Sequence, residues 1–422
     1  MSTDTSSRPT GLPHAVFLQR VTDEPATSPE VRLGQGAFLT LRFVDLLTPD
    51  RESPTPDVFR YQWAATERYC AELAGEGTEA SHLSCIVRAA GEAHQEGNTQ
   101  FLAPALFAYA LYLEQQSHFE EAEDALHTMI TVGGERLAVS DKISAWTRMG
   151  RVLRLQADFE RADAAYSQAG SIAATHGDAL SVLLSQVGHC NVVHYRGNLA
   201  EAEEAWRVVL ADSIVQGFRV VQAQAEHGLG NVLVRRGQAH EGAPHLWRSY
   251  ELYEDETSQA RSMGDLGLAL VSLGEVQAAE CALQHVLRAR TPADLAANAM
   301  IELMNCASFR RDRVSFERWR ERSLSDMAEV PPNMRADYHL KAGIGYARFG
   351  NMRRAENELR KSYEIALAHD LNELVFRVEG ILNGLNGCGA PEYTESAAST
   401  TVIQSDSLKE VSASLAALGT SS

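Results

Sequence analysis

The sequence predicts an all-α fold built from stacked helix pairs, and three observations lead to that prediction. A pattern of small and bulky residues recurs every 37 to 40 residues between Ala110 and Leu359. Within each copy the apolar residues follow helical spacing. The alternation of strands and helices that a nucleotide-binding sheet requires is absent from the sequence. A period of this length indicates a repeat architecture, in which each helix pair covers the apolar face of the next.

Four columns of the repeat stay in register over the copies. The reference column holds a small residue in each copy: Ala110, Gly150, Cys190, Gly230, Gly267 and Gly343. Seven residues later the column reads Ser117, Ala157, Gly197, Gly237, Gly274 and Gly350. Twelve residues after the reference it reads Ala122, Ala162, Ala202, Gly242, Ala279 and Ala355. Sixteen residues after the reference the side chains are bulky: Leu126, Tyr166, Trp206, Leu246, Leu283 and Leu359.

Each column has a physical role in a helix-turn-helix unit. The small reference residue lets a second helix approach closely. The residue seven positions later ends the first helix, where the left-handed conformation is common and glycine adopts it without strain. The alanine at the twelfth position lies where the two helices cross. The bulky residue at the sixteenth position fills the gap between neighbouring repeats, so stacking supplies the core.

These columns resemble the tetratricopeptide repeat (TPR). The best copy carries the match on Trp146, Met149, Gly150, Phe159, Ala162, Tyr166 and Ala169, and further copies read "LGNVLVRRGQAHEGA", "LGLALVSLGEVQAAECAL" and "AGIGYARFGNMRRAENEL". The resemblance covers residues 101–385, about six or seven repeats, and departs from the usual period of about 34 residues. It implies a right-handed superhelical solenoid of TPR-like helix pairs, with the long period familiar from bacterial regulatory repeat proteins.

The flanks of the array look different. We expect residues 1–56 to be mostly disordered, because they are rich in Ser, Thr and Pro. Residues 57–100 are predicted to form an atypical capping helix pair. One repeat near 299–324 is degenerate, and the prolines of "VPPN" at 330–333 precede the next pair. Residues 386–422 are expected to form a flexible tail, in which 408–419 either frays or docks as a short helix.

Composition and motifs exclude several classes of function. A formal net charge of −18 disfavours direct binding to nucleic acid or to an anionic membrane surface. No signal peptide, membrane-spanning run or paired CxxC cysteines are present, so we expect a cytoplasmic protein with buried thiols. No nucleotide-binding loop, nucleophile elbow or metalloprotease motif occurs. We therefore expect no enzyme activity, no cofactor and no metal site.

The resemblance also implies where a ligand would bind. In this family the first helix of each pair lines the concave surface, and positions near the reference residue face it. In the middle repeats those positions hold polar side chains, whereas the outer repeats are expected to present apolar ones. The predicted binding residues are Arg151, Arg154, Asn191, His194, Tyr195, His227, Asn231 and Arg235.

This set suits an extended peptide. An asparagine amide offers both a donor and an acceptor to a peptide unit, and an arginine binds a carboxylate through two parallel hydrogen bonds. The alternative is that these residues are solvated or satisfy helix ends. The sequence thus predicts a non-enzymatic protein- or peptide-binding scaffold or sensor, which could form a homodimer. The alternative function is a sensory or regulatory protein that controls a transcription or signalling partner through protein contacts.

Overall fold

A computed structural model describes residues 12–20, 28–49, 55–289, 291–324, 330–387 and 406–420. Within these ranges the regular structure is helical throughout. The chain divides into two compact units, with the boundary after Gly197. This confirms the predicted all-α repeat fold.

The first unit contains eight α-helices among its described residues. Consecutive helices pack as antiparallel neighbours, with α4 on α5 and α6 on α7, and the first helices α4, α6 and α8 also contact one another in turn. The helices are α1 (Pro29–Val44), α2 (Pro56–Glu72), α3 (Thr78–Glu96), α4 (Leu102–Gln115), α5 (Phe119–Gly133), α6 (Val139–Leu155), α7 (Phe159–Thr175) and α8 (Ala179–Tyr195).

The second unit continues the same pattern. Its pairs are α10 with α11, α12 with α13, α14 with α15, and α16 with α17. The helices are α9 (Leu199–Gln216), α10 (Arg219–Arg235), α11 (Ala239–Leu252), α12 (Glu256–Ser272), α13 (Val276–Arg288), α14 (Ala293–Phe309), α15 (Arg313–Leu324), α16 (Pro332–Arg348), α17 (Met352–Ala368), α18 (Asn372–Gly387) and α19 (Asp406–Thr420).

The turn column behaves as the sequence predicts. All six residues at the seventh position have a positive φ: 64° at Ser117, 61° at Ala157 and 77° to 86° at the four glycines. A left-handed residue is the common way to end the first helix and turn the chain back. Three of the six second helices then begin with a side-chain cap, as where Asp158 accepts a hydrogen bond from the backbone N–H of Arg161.

The small and bulky columns meet in space. A Cβ added to Gly150 would lie 2.9 Å from the ring of Tyr166, and one added to Gly188 in the following helix would lie 2.2 Å from the same ring. Tyr166 therefore fills the space between one pair and the next. Gly230 and Gly267 stand in the same relation to the leucines sixteen positions later, at 2.7 and 2.8 Å. A side chain on these glycines would push the helices apart.

The degenerate repeat keeps the turn and changes the core. Arg311, with a φ of 59°, occupies the left-handed turn position. Seven residues before Arg311, Met304 occupies the reference column. Twelve residues after Met304, Phe316 occupies the alanine column. Both are fully buried, and the ring of Phe316 packs where a Cβ on Gly345 would be 2.3 Å away. Larger side chains thus replace the small ones at this crossing.

The N-terminal segment differs from its expected disorder. Residues 29–47 form α1 and a short 3₁₀ turn, and residues 15–18 form another, with Phe17 and Leu41 fully buried. The disorder expected over 1–56 is thus wrong for 12–20 and 28–49. The aliphatic and aromatic residues in these stretches bury enough apolar surface to order the chain despite the surrounding Ser, Thr and Pro.

The C-terminal end also holds a docked element. Helix α19 packs on α11 and α13 and buries Leu408, Val411 and Leu415. Of the two outcomes predicted for 408–419, fraying or docking as a short helix, the structure shows the docked helix, because these leucine and valine side chains recur on one helix face. Residues 388–405, the rest of the flexible tail expected from residue 386, lie outside the described residues.

Candidate functional site

The predicted binding residues divide between the two units, and each set is described in its own unit. Arg151 and Arg154 lie on α6, and Asn191, His194 and Tyr195 lie on α8. In the second unit, α10 carries the remaining three: His227, Asn231 and Arg235.

In the first unit two arginines of α6 pair with one buried carboxylate, and a third arginine of the same helix packs on a tyrosine ring. Glu114 of α4 is 8% exposed or less and accepts from Nη1 of Arg148 at 3.0 Å and from Nε of Arg151 at 2.5 Å. The guanidinium of Arg154 lies over the ring of Tyr195, 4.6 Å from its centroid. We call this set the arginine face: Glu114, Arg148, Arg151, Arg154 and Tyr195.

The electrostatics of the arginine face are positive. The set holds three guanidinium groups and one carboxylate, which leaves an excess of two positive charges. Burial raises the pKa of the Tyr166 phenol beneath this face, while Arg154, Arg151 and Arg148 act in the opposite direction. All three arginines therefore lie close enough to influence one buried hydroxyl.

The arginine side chains keep groups for a ligand. The side chain of Arg151 is 48% exposed, and among the described residues only its Nε has a hydrogen-bond partner. Its two terminal nitrogens, Nη1 and Nη2, are thus available to donate hydrogen bonds to a ligand. Tyr195 is 57% exposed and presents the edge of the face to solvent.

Asn191 uses part of its amide within the helix. Its Nδ2 donates to the carbonyl of Val187 at 3.0 Å, while its Oδ1 accepts no hydrogen bond from the described residues. His194, which precedes Tyr195, is buried and so lies beneath the surface rather than on it. Of the predicted residues on α8, Asn191 and Tyr195 are the two that are not buried.

In the second unit the predicted residues converge on an aspartate. Oδ2 of Asp265, on α12, lies 2.8 Å from Nε2 of His227 and 2.8 Å from Nδ2 of Asn231. The other ring nitrogen of His227 lies 3.2 Å from the hydroxyl of Tyr253. We call these four residues the histidine cluster. Arg235, one turn further along α10, is exposed.

The sequence reasoning missed three charged residues that organise these sets. Glu114 lies four positions after the reference Ala110, Asp265 lies two before Gly267, and Arg148 lies two before Gly150. The expectation that the outer repeats present apolar residues does not hold at Glu114, whereas Asp265 and Arg148 lie at a position to which that expectation did not apply. The position two before the reference, which the sequence analysis did not consider, carries the signal.

Other candidate chemistry is structural. In the basic stretch 309–322, Arg320 pairs with Glu317 at 2.7 Å and Arg310 with Glu280 at 3.2 Å. Across the described ranges no group of three or more His, Cys, Asp and Glu residues is placed to hold a metal ion. None of the described helices is long and apolar enough to cross a membrane.

Comparisons with known proteins give the fold. No protein-family model matches the sequence, and no curated protein is significantly similar to it. The apo form of the quorum sensor NprR from B. thuringiensis matches with a TM-score of 0.51 and 11% identity, over 82% of this chain and 91% of that one. The Rap conjugation gene regulator of the plasmid pLS20, solved with the Phr* peptide, gives a TM-score of 0.49 and 10% identity, over 79% and 97%.

A third solved structure matches over a shorter length. It is a putative kinesin light chain from Podosopora anserina with TPR-like repeats, with a TM-score of 0.34 and 19% identity, over 44% of this chain and 93% of that one. At these identities a likeness concerns the fold alone. Together with the four columns and the helix pairs they produce, the match to NprR identifies the chain, in fold, as a tetratricopeptide-type repeat protein.

Proposed function

We propose that the chain is a non-enzymatic sensor or scaffold that binds an extended acidic peptide, or an acidic extended segment of a partner protein. In the first unit the binding residues would be those of the arginine face together with Asn191 of α8; the predicted residues of α10 are a separate candidate set in the second unit. The carrying observation is that α6 presents three arginines on the arginine face, two paired with the buried Glu114 and the third packed on Tyr195. An excess of positive charge in a chain with a net charge of −18 favours an anionic ligand.

Glu114 has a positioning role in this proposal. It holds Arg148 and Arg151 through one side of each guanidinium group. A guanidinium group fixed on one edge loses less side-chain entropy when its other edge binds a carboxylate. The fork of Arg151 is the first candidate for such a bidentate pair, because its terminal nitrogens have no partner among the described residues.

Asn191 and Asn231 would each offer the peptide backbone an acceptor but not the paired donor and acceptor of a free amide. Each amide already donates within the protein, to Val187 and to Asp265 respectively. Their Oδ1 atoms accept no hydrogen bond from the described residues, so each is left to accept one from a peptide N–H. The predicted residues of the second unit would favour a less acidic ligand, because the negative charge of Asp265 offsets the positive charge of Arg235.

The role of sensor is part of the proposal. NprR, which has the same fold, is described as a quorum sensor, but a shared fold does not establish a shared ligand. What supports a ligand-binding role in this chain is its own arginine face.

The test measures binding of labelled peptides to the full chain. The probes are two fluorescein-labelled decapeptide mixtures, one with Asp and Glu at alternate positions and one with Asn and Gln there. We expect the acidic mixture to bind at least tenfold tighter by fluorescence anisotropy. Arg151→Gln with Arg154→Gln should lower that affinity at least tenfold, since hydrogen bonds to charged groups contribute about 1.5–3 kcal/mol each. Asn191→Ala with Asn231→Ala should have a smaller effect.

The matched control removes two arginines elsewhere. Arg207→Gln with Arg360→Gln takes the same charge from exposed arginines, each paired with a glutamate one turn earlier. This variant should bind the acidic mixture like the wild type. Equal affinity for both mixtures, or equal losses in both double variants, would refute the site.

A further inference from the structure

Helix α19 covers a surface formed by α11 and α13, the second helices of two consecutive pairs in the second unit. Its contact face consists of Leu408, Val411 and Leu415, which are 1–3% exposed. These residues follow the spacing i, i+3 and i+7, so they lie on one face of the helix. They belong to the same apolar cluster as Leu246 of α11 and Leu283 of α13.

The surface beneath α19 is aromatic and continuous across both helices. The hydroxyl of Tyr250 on α11 lies 3.2 Å from Nε2 of His285 on α13, and the two rings meet edge to face. Trp247 lies beside Tyr250 with ring centroids 5.4 Å apart. Burial raises the pKa of Tyr250 and lowers that of His285, as expected where water is excluded.

Helix α19 does not extend the array. Eighteen residues separate it from α18, and it packs on helices that precede α18 by more than 80 residues. Phe376 of α18 is 73% exposed, so α19 does not shield that residue of the last repeat. An element that only closed the repeat stack would be expected to lie on its last helix.

We propose that the surface of α11 and α13 is a docking site for an amphipathic helix of a partner protein, and that α19 is the resident occupant which the partner displaces. The partner helix would carry aliphatic side chains at i, i+3 and i+7, because that is the pattern the surface already holds. This interaction surface is separate from the arginine face, and its test does not depend on peptide binding there.

Because α19 is covalently joined to the rest of the chain, its local concentration determines how strongly it competes with a partner helix for the surface. A segment joined through a short linker is present at an effective concentration in the millimolar range. A partner at micromolar concentration therefore finds the surface mostly covered, and its apparent affinity falls by the fraction of molecules in which the surface is open. A helix of 15 residues is marginally stable alone, so α19 folds as it docks and unfolds as it leaves.

The test opens the surface in the full chain. Val411→Asp with Leu415→Asp places two charges on the contact face of α19. Ala413→Asp with Ala416→Asp is the matched control, because it places the same charges on exposed positions of the same helix. The probe is a fluorescein-labelled synthetic peptide of residues 404–420, a helix with the proposed pattern. Circular dichroism checks that each variant keeps its helices.

We expect the peptide to bind the Val411→Asp, Leu415→Asp chain at least tenfold tighter than it binds the wild type or the control. A peptide carrying the same two aspartates should not bind. Equal affinity for all three chains, or no binding to any, would overturn the proposal. Light scattering that shows wild-type dimers with exchanged α19 helices would also overturn it, because the occupant would then be a second copy of the chain.

A second route avoids substitutions in α19. A protease site inserted between residues 388 and 405 leaves the docked helix intact until the chain is cut. After cleavage and dilution the α19 fragment should dissociate, and the labelled peptide should then bind as it does to the aspartate variant. A fragment that stays bound at nanomolar concentration, with no exchange of peptide, would show that α19 is a permanent part of the fold.

Discussion

The two ends of the described chain both pack back on second helices, but different forces hold them. In the first unit, residues 12–20 contact α5 through buried charges: Arg20 lies between Glu79 and Glu121, and His14 lies between Asp45 and Asp124. In the second unit, α19 is held on α11 and α13 by an aliphatic face. Both segments lie outside the repeats, yet their attachments differ in chemistry.

The difference determines what each end is suited to do. If residues 12–20 left their site, four carboxylates from α3, α5 and the turn after α1 would each lose one cationic partner, and removing a partner from a buried charge is costly. If α19 leaves, the surface loses the apolar contacts of Leu408, Val411 and Leu415. The N-terminal segment is therefore built into its unit, whereas the C-terminal helix is suited to exchange.

Of the changes that test this difference, removing Arg20 should have the largest effect on stability. Its Nη1 lies 2.9 Å from Oε2 of Glu79, and its Nε donates to Glu121 at 2.8 Å. Arg20→Met leaves both carboxylates buried with one partner fewer, so we expect the first unit to lose about 3–5 kcal/mol of stability. Hydrogen exchange of α3 and α5 amides measures that loss directly.

A surface ion pair serves as its control. Arg60 lies 3.8 Å from Asp57 and both side chains are mostly exposed. Arg60→Met should change the same exchange free energies by about 0.5 kcal/mol or less. If Arg20→Met were equally mild, the buried charges would not be what holds the N-terminal segment.

The stability of the first unit should also depend on the protonation of His14. Burial alone would lower the pKa of His14, but its hydrogen bonds to Asp124 and Asp45 and their charges raise it to about 9. The folded pKa thus exceeds the unfolded value of 6.5, so the contribution is complete below pH 6.5 and disappears as the pH rises through about 9. A shift of this size corresponds to about 3 kcal/mol.

The pH profile has a variant that isolates His14. His14 has a φ of 62°, a conformation that asparagine also tolerates. His14→Asn should therefore keep the backbone and remove the titration, so its unfolding free energy should stay level between pH 6.5 and 9 while that of the wild type falls. Parallel profiles would assign the pH dependence to other groups. The second unit, whose terminal helix is held by apolar contacts, should not share this fall.

The sequence predicts the repeats better than it predicts these ends, and the reason is physical. Column residues such as Gly150 and Tyr166 meet demands of backbone and volume that recur in every copy, so they are visible as a period. Arg20 finds its partners 59 and 101 residues away, and no local pattern records such a pairing. The N-terminal apolar residues are likewise diluted by Ser, Thr and Pro, which favoured an interpretation as disorder.

The candidate site was predicted in part for the same reason. Arg151 and Arg154 occupy repeat positions that, by the resemblance, line the concave surface, so the resemblance points to them. Glu114 and Asp265 act through contacts between helices of neighbouring repeats. Their importance follows from which side chains meet across that gap, and spacing along one helix does not show it.

The smallest expected effect tests what the two units have in common. The turn position is left-handed both at Ala157 in the first unit and at Gly237 in the second, with φ of 61° and 80°. An L-residue with a Cβ pays roughly 1–2 kcal/mol for this conformation, partly offset because glycine loses more entropy on folding. Ala157→Gly should therefore stabilise the first unit by about 0.5–1 kcal/mol, measured by urea unfolding.

The reverse change in the other unit completes the test. A Cβ on Gly237 would meet nothing within 4 Å, so Gly237→Ala changes the backbone preference without a steric clash. We expect it to destabilise the second unit by about 0.5–1 kcal/mol, the mirror of the first change. Opposite signs of similar size would mean that the units share one turn and differ only in how their ends are held. A stabilising Gly237→Ala would show that the turn column follows different rules in the two units.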